Sequence, residues 1–326
     1  MIKFSLSFVS VAVSIATLIG CASKTPSART PASTETSLRL CENLRRMVLH
    51  SHRGAADRPE NMLTAFHRAV ELGADVIEMD LQVASDSEPK PSRLVVAHDH
   101  WMKEECTVGG KPRAEKIFYR DMTLAEIQTY DCGSKVKTGQ PVPGERISSL
   151  LQVLQSLHPI STRKNQPVGF NIEIKYNPTL SPRYYPSRPE YVQLLLATLD
   201  QARVSNERIL VQSFDIDILR ELRRQRSTIR LAALLPDINV GLDIARELNL
   251  DLITPHVSQV SAATLREFHD RRVQVIPWTV NRPDEALRAI ELGTDGVITD
   301  QPDLYVFAEK FCGPGAMVNQ SPARDF

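Results

Sequence analysis

The chain has 326 residues, 42% of them hydrophobic and 24% charged, with 39 Lys and Arg against 39 Asp and Glu. That composition is globular, too apolar for a disordered polymer and unlike a fibrous repeat. A net charge of zero argues against the basic footprint of a nucleic-acid binder, so no nucleic-acid partner is expected.

In chain order, residues 1–20, "MIKFSLSFVSVAVSIATLIG", carry one charge, Lys3, and then an uncharged apolar run ending in small residues. This is the shape of a secretory signal, and the run is short against the roughly 20 apolar residues of a spanning helix. The segment "LIGC", Leu18 to Cys21, resembles the lipobox of bacterial lipoproteins, whose cysteine receives lipid and becomes the first mature residue. The resemblance implies lipidation of Cys21 and an exported protein anchored to a bacterial membrane, facing the periplasm or the exterior. An ordinary cleaved signal is the alternative. Residues 21–44 include the Ser-, Thr-, Pro- and Ala-rich "ASKTPSARTPASTETS" and are expected to form a flexible tether. Residues 313–326 are expected to be a flexible tail.

Between them, residues 45–312 alternate short apolar runs with amphipathic stretches. The runs are "MVLHSH", "DVIEMDLQV", "VGFNIEIK", "ILVQSF", "RLAALL", "LITPHV", "VQVIPWTV" and "GVITD". Between most of them apolar residues recur at helical spacing, as Leu63, Phe66, Ala69, Val70 and Leu72 do before Gly73. Strands alternating with helices predict parallel β/α units, and their number and size predict an α/β (β/α)8 TIM barrel, with an open doubly wound sheet as the alternative. After the second run comes "RLVVAHD", a hairpin-like segment, and then an irregular stretch read as an insertion over about residues 100–147. With Cys21 lipidated, four cysteines remain. Their spacing fits no metal motif, and an exported chain favours disulfides over free thiols. Cys106 and Cys132 share the insertion, and Cys41 and Cys312 flank the barrel, so the preferred pairing is Cys106–Cys132 and Cys41–Cys312.

Active sites of β/α barrels lie at the C-terminal ends of the strands. The first strand ends in His52 and Arg53. Glu78 and Asp80 in the second are two positions apart and project to one face, while Ile77 and Met79 point to the helices. "NIEIK" repeats the pattern with Glu173 and Lys175. Three inward carboxylates repel one another, and a hard divalent cation would relieve that, Ca²⁺ or Mg²⁺ rather than zinc. Arg53 and Lys175 beside it would suit a phosphate. Internal salt bridging without a metal accounts for the same charges. His52 and His98 have the side chain for acid–base work, although a structural role fits a lone histidine equally well.

The ordered set "HRG…PEN…GAD.IE.D", "LVV.HD", "EIK", "WTVN" and "GVITDQPD" resembles the glycerophosphodiester phosphodiesterase family from about residue 49 to 308. The resemblance implies a phosphodiesterase-type (β/α)8 barrel with a small insertion after strand 2. The "HDHWM" segment and the secretory start are similar to the periplasmic branch. The resemblance further implies His52 and His98 as catalytic, with His52 as base and His98 as acid by analogy with phospholipase-type barrels. It gives Glu78, Asp80 and Glu173 as ligands of one divalent cation, and Arg53 and Lys175 as phosphate contacts. Trp278 lines the substrate pocket in that reading, though a core tryptophan fits too, and Glu60 is an acidic residue near the site with its role open. The expected reaction is hydrolysis of small glycerophosphodiesters to glycerol 3-phosphate and an alcohol. A lysophospholipase D or phospholipase-C-like activity on a lipid, or a non-enzymatic anchored binding barrel, are the alternatives. Nothing points to a protein partner. The sequence departs from the family at Met62, where "PENT" is usual, and in the longer turn "ASDSEPKPSR".

Overall fold

A computed structural model describes residues 31–85, 87, 93–111, 115–310 and 312. The expected signal, Cys21, the first part of the tether and the tail from residue 313 lie outside the described residues. Among the described residues nine strands form one sheet: β1 Val48–Ser51, β2 Val76–Val83, β3 Leu94–Val96, β4 Gly169–Ile174, β5 Ile209–Ser213, β6 Arg230–Leu235, β7 Leu252–Pro255, β8 Gln274–Val275 and β9 Gly296–Thr299. All but β3 pair in parallel in the order β8-β7-β6-β5-β4-β2-β1-β9. Val280 donates to the Ile298 carbonyl at 2.9 Å and Ile298 to that of Pro277 at 2.9 Å, which joins the segment after β8 to β9. The result is the expected (β/α)8 barrel and not an open sheet.

Strand parity builds two cores. Ile77, Met79 and Leu81 of β2, with Phe170, Ile172 and Ile174 of β4, belong to the large apolar layer under the helices. Leu210, Ala232, Leu252, Ile276 and Ile298 form a separate cluster inside the barrel. Burying side chains of this size is worth about 1.5–3 kcal/mol each, which drives closure of the sheet. The surrounding helices are α1 Pro31–Arg46, α2 Leu63–Glu71, α4 Leu150–Leu157, α5 Arg188–Ala202, α6 Ile216–Gln225, α7 Gly241–Leu248, α8 Ala262–His269, α9 Pro283–Leu292 and α10 Pro302–Glu309, with the single turn α3 Leu124–Ile127 in the insertion. Side-chain caps start several of them, as Ser149 does for α4 and Asp215 for α6.

The tether expectation for residues 21–44 fails over its second half. Residues 31–46 are helical, and Leu40, Cys41 and Leu44 are buried in a cluster with Ala286, Ala289, Ile290, Leu304 and Tyr305. Asn43 Nδ2 donates to the Ile290 carbonyl at 2.8 Å, and Cys41 is bonded to Cys312. The composition concealed a helix whose apolar face is narrow but stapled.

β3 runs antiparallel to β2, Leu81 opposite Val96. The chain from there to α4 builds its own small core, which includes Met102, Tyr119, Met122, Ile127 and Ile147. Within it Cys106 is bonded to Cys132.

Candidate active site

The register of the sheet assembles the acidic cluster. Asp80 of β2 lies opposite Glu173 of β4, and Glu78 opposite Asn171. Glu78 and Asp80 are fully buried and Glu173 nearly so. The three offer carboxylate oxygens all within 4.8 Å of one another.

Each carboxylate is held by protein donors. Glu78 accepts from the Arg53 backbone N–H at 2.9 Å and from Gln212 Nε2 at 3.4 Å. Asp80 accepts from Asn61 Nδ2 at 2.8 Å and pairs with Arg53 Nε at 3.1 Å and Lys175 Nζ at 3.1 Å. Glu173 pairs with Lys175 at 2.7 Å. The cations do not balance the acids. Burial first, and then the Asp80 charge, push Glu78 up to about 7 and Glu173 up to about 8. Burial would raise Asp80 as well, but Lys175 and then Arg53 hold it below the usual carboxylate range. Asp80 Oδ1 and Glu173 Oε1 share the Lys175 ammonium, at 3.1 Å and 2.7 Å, so two buried carboxylates draw on the same cation. Buried oxygens in excess of their cations fit a hard divalent ion. The salt bridges expected as the alternative to a metal are therefore present, but they leave the cluster acidic.

Two histidines flank it. His52, one residue beyond β1, sets Nδ1 at 2.6 Å from Asp300 Oδ1. Asp300 follows β9, the neighbour of β1, and Asn281 Nδ2 donates to its other oxygen at 2.6 Å. Burial lowers the His52 pKa, but the Asp300 hydrogen bond and then Glu78 outweigh it, and the net shift is upward. His98 follows β3, with Nδ1 at 3.1 Å from Asp99 Oδ1 and its carbonyl accepting from Gln82 Nε2 at 2.7 Å. Burial lowers its pKa, Asp80 opposes that, and Lys175 and Arg53 add to the lowering. With a carboxylate at each Nδ1, both rings are free to work through Nε2.

The loop from β1 to α2 carries Arg53, Glu60 and Asn61. Arg53 and Asn61 both adopt positive φ, 55° and 59°, strain that surrounding contacts must hold. Asn61 accepts from the Asp80 backbone N–H at 3.2 Å as well as donating to its side chain. Arg53 Nη1 reaches both Glu60 oxygens at 3.4 Å, and Glu60 also pairs with Lys103 of the insertion. Trp278 lies over the interior cluster with Nε1 donating to the Thr254 carbonyl at 2.8 Å, edge-on to Phe214 and His256. It is thus both a core residue and part of the mouth.

His52, Arg53, Glu60, Glu78, Asp80, His98, Glu173 and Lys175 all meet at one end of the barrel. Asp300, Asn281, Asn61, Lys103, Gln82 and Gln212 stand there too and escaped the sequence reading. Only position signalled Asp300 and Gln82: the one ends a strand run, and the other continues the Glu78, Asp80 parity. His50 shares the inward face, is fully buried and accepts at Nδ1 from Asn171 Nδ2 at 3.2 Å. Burial and then Arg230 lower its pKa to about 3, so it is a neutral core group.

The sequence model of the glycerophosphoryl diester phosphodiesterase family matches residues 52–304. A glycerophosphodiester phosphodiesterase of Caldanaerobacter subterraneus is 30% identical over 261 residues, covering 78% of this chain and 95% of that one. The human lysophospholipase D GDPD1 is 25% identical over 274 residues, covering 77% of this chain and 82% of its own. A solved structure from Silicibacter pomeroyi, assigned as a glycerophosphoryl diester phosphodiesterase, superposes with a TM-score of 0.71 at 25% identity, covering 83% of this chain and 97% of that one.

Proposed function

The chain belongs to the glycerophosphoryl diester phosphodiesterase family, a family of phosphoric diester hydrolases, and on that premise we propose how its site works. Its substrates are small glycerophosphodiesters, the deacylated headgroups of phospholipids, and its products glycerol 3-phosphate and an alcohol. Glu78, Asp80 and Glu173 would hold one divalent cation, Ca²⁺ or Mg²⁺, and the carrying observation is the convergence of these three buried carboxylates beside two basic side chains. When bound, the ion supplies positive charge that neutralises the cluster and polarises phosphoryl oxygens.

The remaining work falls to the chain's own residues. Arg53 and Lys175 bind the anionic oxygens and stabilise charge that develops on them. Asp300 fixes His52 with Nε2 as the acceptor. Nε2 takes the proton from water as it attacks phosphorus, or from the adjacent glycerol hydroxyl, in which case the alcohol leaves behind a cyclic phosphate that water then opens to glycerol 3-phosphate. The rise in the His52 pKa suits a base, because the carboxylate stabilises the imidazolium as it forms. His98, whose pKa is lowered, gives its proton to the departing alcohol. Trp278 and the exposed Phe214 offer an apolar wall to the part of the substrate beyond phosphorus.

The same wall favours a second reading, a lysolipid substrate, which is the activity named for the human relative. Following turnover of glycerophosphocholine and lysophosphatidylcholine by phosphorus NMR separates the two. The first reading predicts glycerol 3-phosphate from glycerophosphocholine, and turnover of the lysolipid alone would sink it. We also propose export, with lipidation at Cys21 and the domain facing the periplasm or exterior. Two disulfides, which persist in oxidising compartments, support export. Among the described residues no helix is long and apolar enough to cross a membrane.

A further inference from the structure

We propose that the insertion after β2 is a clamp that positions the phosphate-binding arm, with Lys103 as the positioning residue that acts on Arg53 through Glu60. The inference rests on the reading of Arg53 as a phosphate contact.

The arm is the loop of residues 53–62. It begins and ends in strained backbone, at Arg53 and Asn61, so its shape must be imposed from outside. Two contacts from the insertion do this, and a third holds the first turn of α2 just behind the arm. The Lys103 ammonium pairs with Glu60, which in turn faces the Arg53 guanidinium with both oxygens at 3.4 Å. Gln140 donates its backbone N–H to the Asp57 carbonyl at 2.8 Å. At that contact Gly139 has φ +78° and lies so close to the arm that an added Cβ would stand 2.9 Å from the Ala56 carbonyl oxygen. Glu145 Oε1 accepts from the Thr64 N–H at 3.3 Å. This last contact explains how the departure at Met62 is tolerated. Met62 is the N-cap of α2 and makes no side-chain cap bond, so the insertion supplies the acceptor that a cap residue would provide.

The gripping residues sit on opposite halves of the insertion, Lys103 before its short helix and Gln140 and Glu145 after it. Cys106, three residues from Lys103, is bonded to Cys132, and Thr107 exchanges backbone hydrogen bonds with Asp131 at 2.8 Å. The disulfide therefore fixes the spacing of the two jaws. With Lys103 in place, Glu60 is shared between two cations, and Arg53 keeps one side of its guanidinium for a substrate anion. Without it, Glu60 would turn wholly to Arg53 and compete with phosphate.

The test uses the full mature chain with its disulfides intact and its metal bound. KM and kcat are measured on glycerophosphocholine, together with the inhibition constant of inorganic phosphate. Lys103→Met should raise KM and the phosphate inhibition constant together by about 3–10-fold and leave kcat within about twofold, and Lys103→Arg should restore both. In an Arg53→Met background the Lys103 change should add nothing further. Unchanged constants in Lys103→Met, or an equal rise in both backgrounds, would overturn the proposal, because the second result means that Lys103 acts on phosphate directly. An Arg53→Met enzyme with an unaltered phosphate constant would overturn the phosphate reading of Arg53, and the clamp with it. Cys106→Ala/Cys132→Ala should shift KM and the phosphate constant in the same direction as Lys103→Met, and a fall in kcat alone would count against the clamp.

Discussion

Replacing Asp300 with Asn removes one negative charge and keeps the shape of the side chain. Two neighbours decide what the new amide does. Asn281 Nδ2 donates to one Asp300 oxygen at 2.6 Å, and Asn281 Oδ1 accepts from the Asp300 backbone N–H at 2.9 Å, so the Asn281 side chain is fixed as a donor. The amide oxygen at position 300 must therefore face Asn281, which turns its NH₂ toward His52 Nδ1, now 2.6 Å from a carboxylate oxygen. An imidazole that accepts at Nδ1 carries its proton on Nε2, the wrong tautomer for a base. Losing a hydrogen bond to a charged group costs about 1.5–3 kcal/mol, or about 10–150-fold in rate. The same tautomer reversal in Ser–His–Asp triads costs about 10⁴-fold. Asp300→Asn should thus lower kcat/KM by about 10²–10⁴-fold at neutral pH, measured as glycerol 3-phosphate release. The reactive form needs His52 neutral and His98 protonated, and with the His52 pKa raised and the His98 pKa lowered the alkaline limb of the pH profile reports His52 and the acid limb His98. Asp300 raises the His52 pKa, so the alkaline limb should move to lower pH in the variant. A variant within threefold of wild type, with its alkaline limb unmoved, would refute the assignment of His52 as an Asp300-tuned base.

Asn61→Ala removes both bonds to Asp80, and loss of such outer support typically costs 10–100-fold in metal affinity. A calorimetric titration of the divalent ion should show a loss of that order. Stability of the metal-free protein should fall as pH rises from about 4.5 to 8, because Glu78 and Glu173 hold protons in the fold that they release when unfolded. Together they contribute up to roughly 8 kcal/mol, part of which His50, neutral in the fold and protonated when unfolded, offsets below about pH 6.5, and thermal melts in EDTA across that range should show the net fall, with added cation flattening the trend. Cys41→Ala/Cys312→Ala opens a staple spanning 271 residues, worth about 2–5 kcal/mol, at the edge of the barrel where α1 enters β1. Its Tm should drop by several degrees while kcat stays within about twofold.

What was legible in the sequence shares one physical basis. A side-chain period of two is local, so Glu78, Asp80, Glu173 and Lys175 declared their common face from spacing alone, and closure of the barrel brought them together. Asp300 was hidden because its partner, His52, lies 248 residues away and meets it only where the last strand returns to the first. Lys103 was hidden for another reason. It acts from an irregular segment whose path is set by a disulfide and by contacts of its own small core, none of which leaves a period. The α1 helix was hidden because Ser, Thr and Pro crowd its first turns, and Leu40, Cys41 and Leu44 carry its packing.

Glycerol 3-phosphate release from glycerophosphocholine, measured before and after EDTA, decides whether Glu78, Asp80 and Glu173 build a cation-dependent hydrolase of glycerophosphodiesters. EDTA should abolish release, and Mg²⁺ or Ca²⁺ should restore it. A Glu173→Gln enzyme should stay inactive at cation concentrations that saturate the wild type. Undiminished release in excess EDTA would rule out the cation dependence.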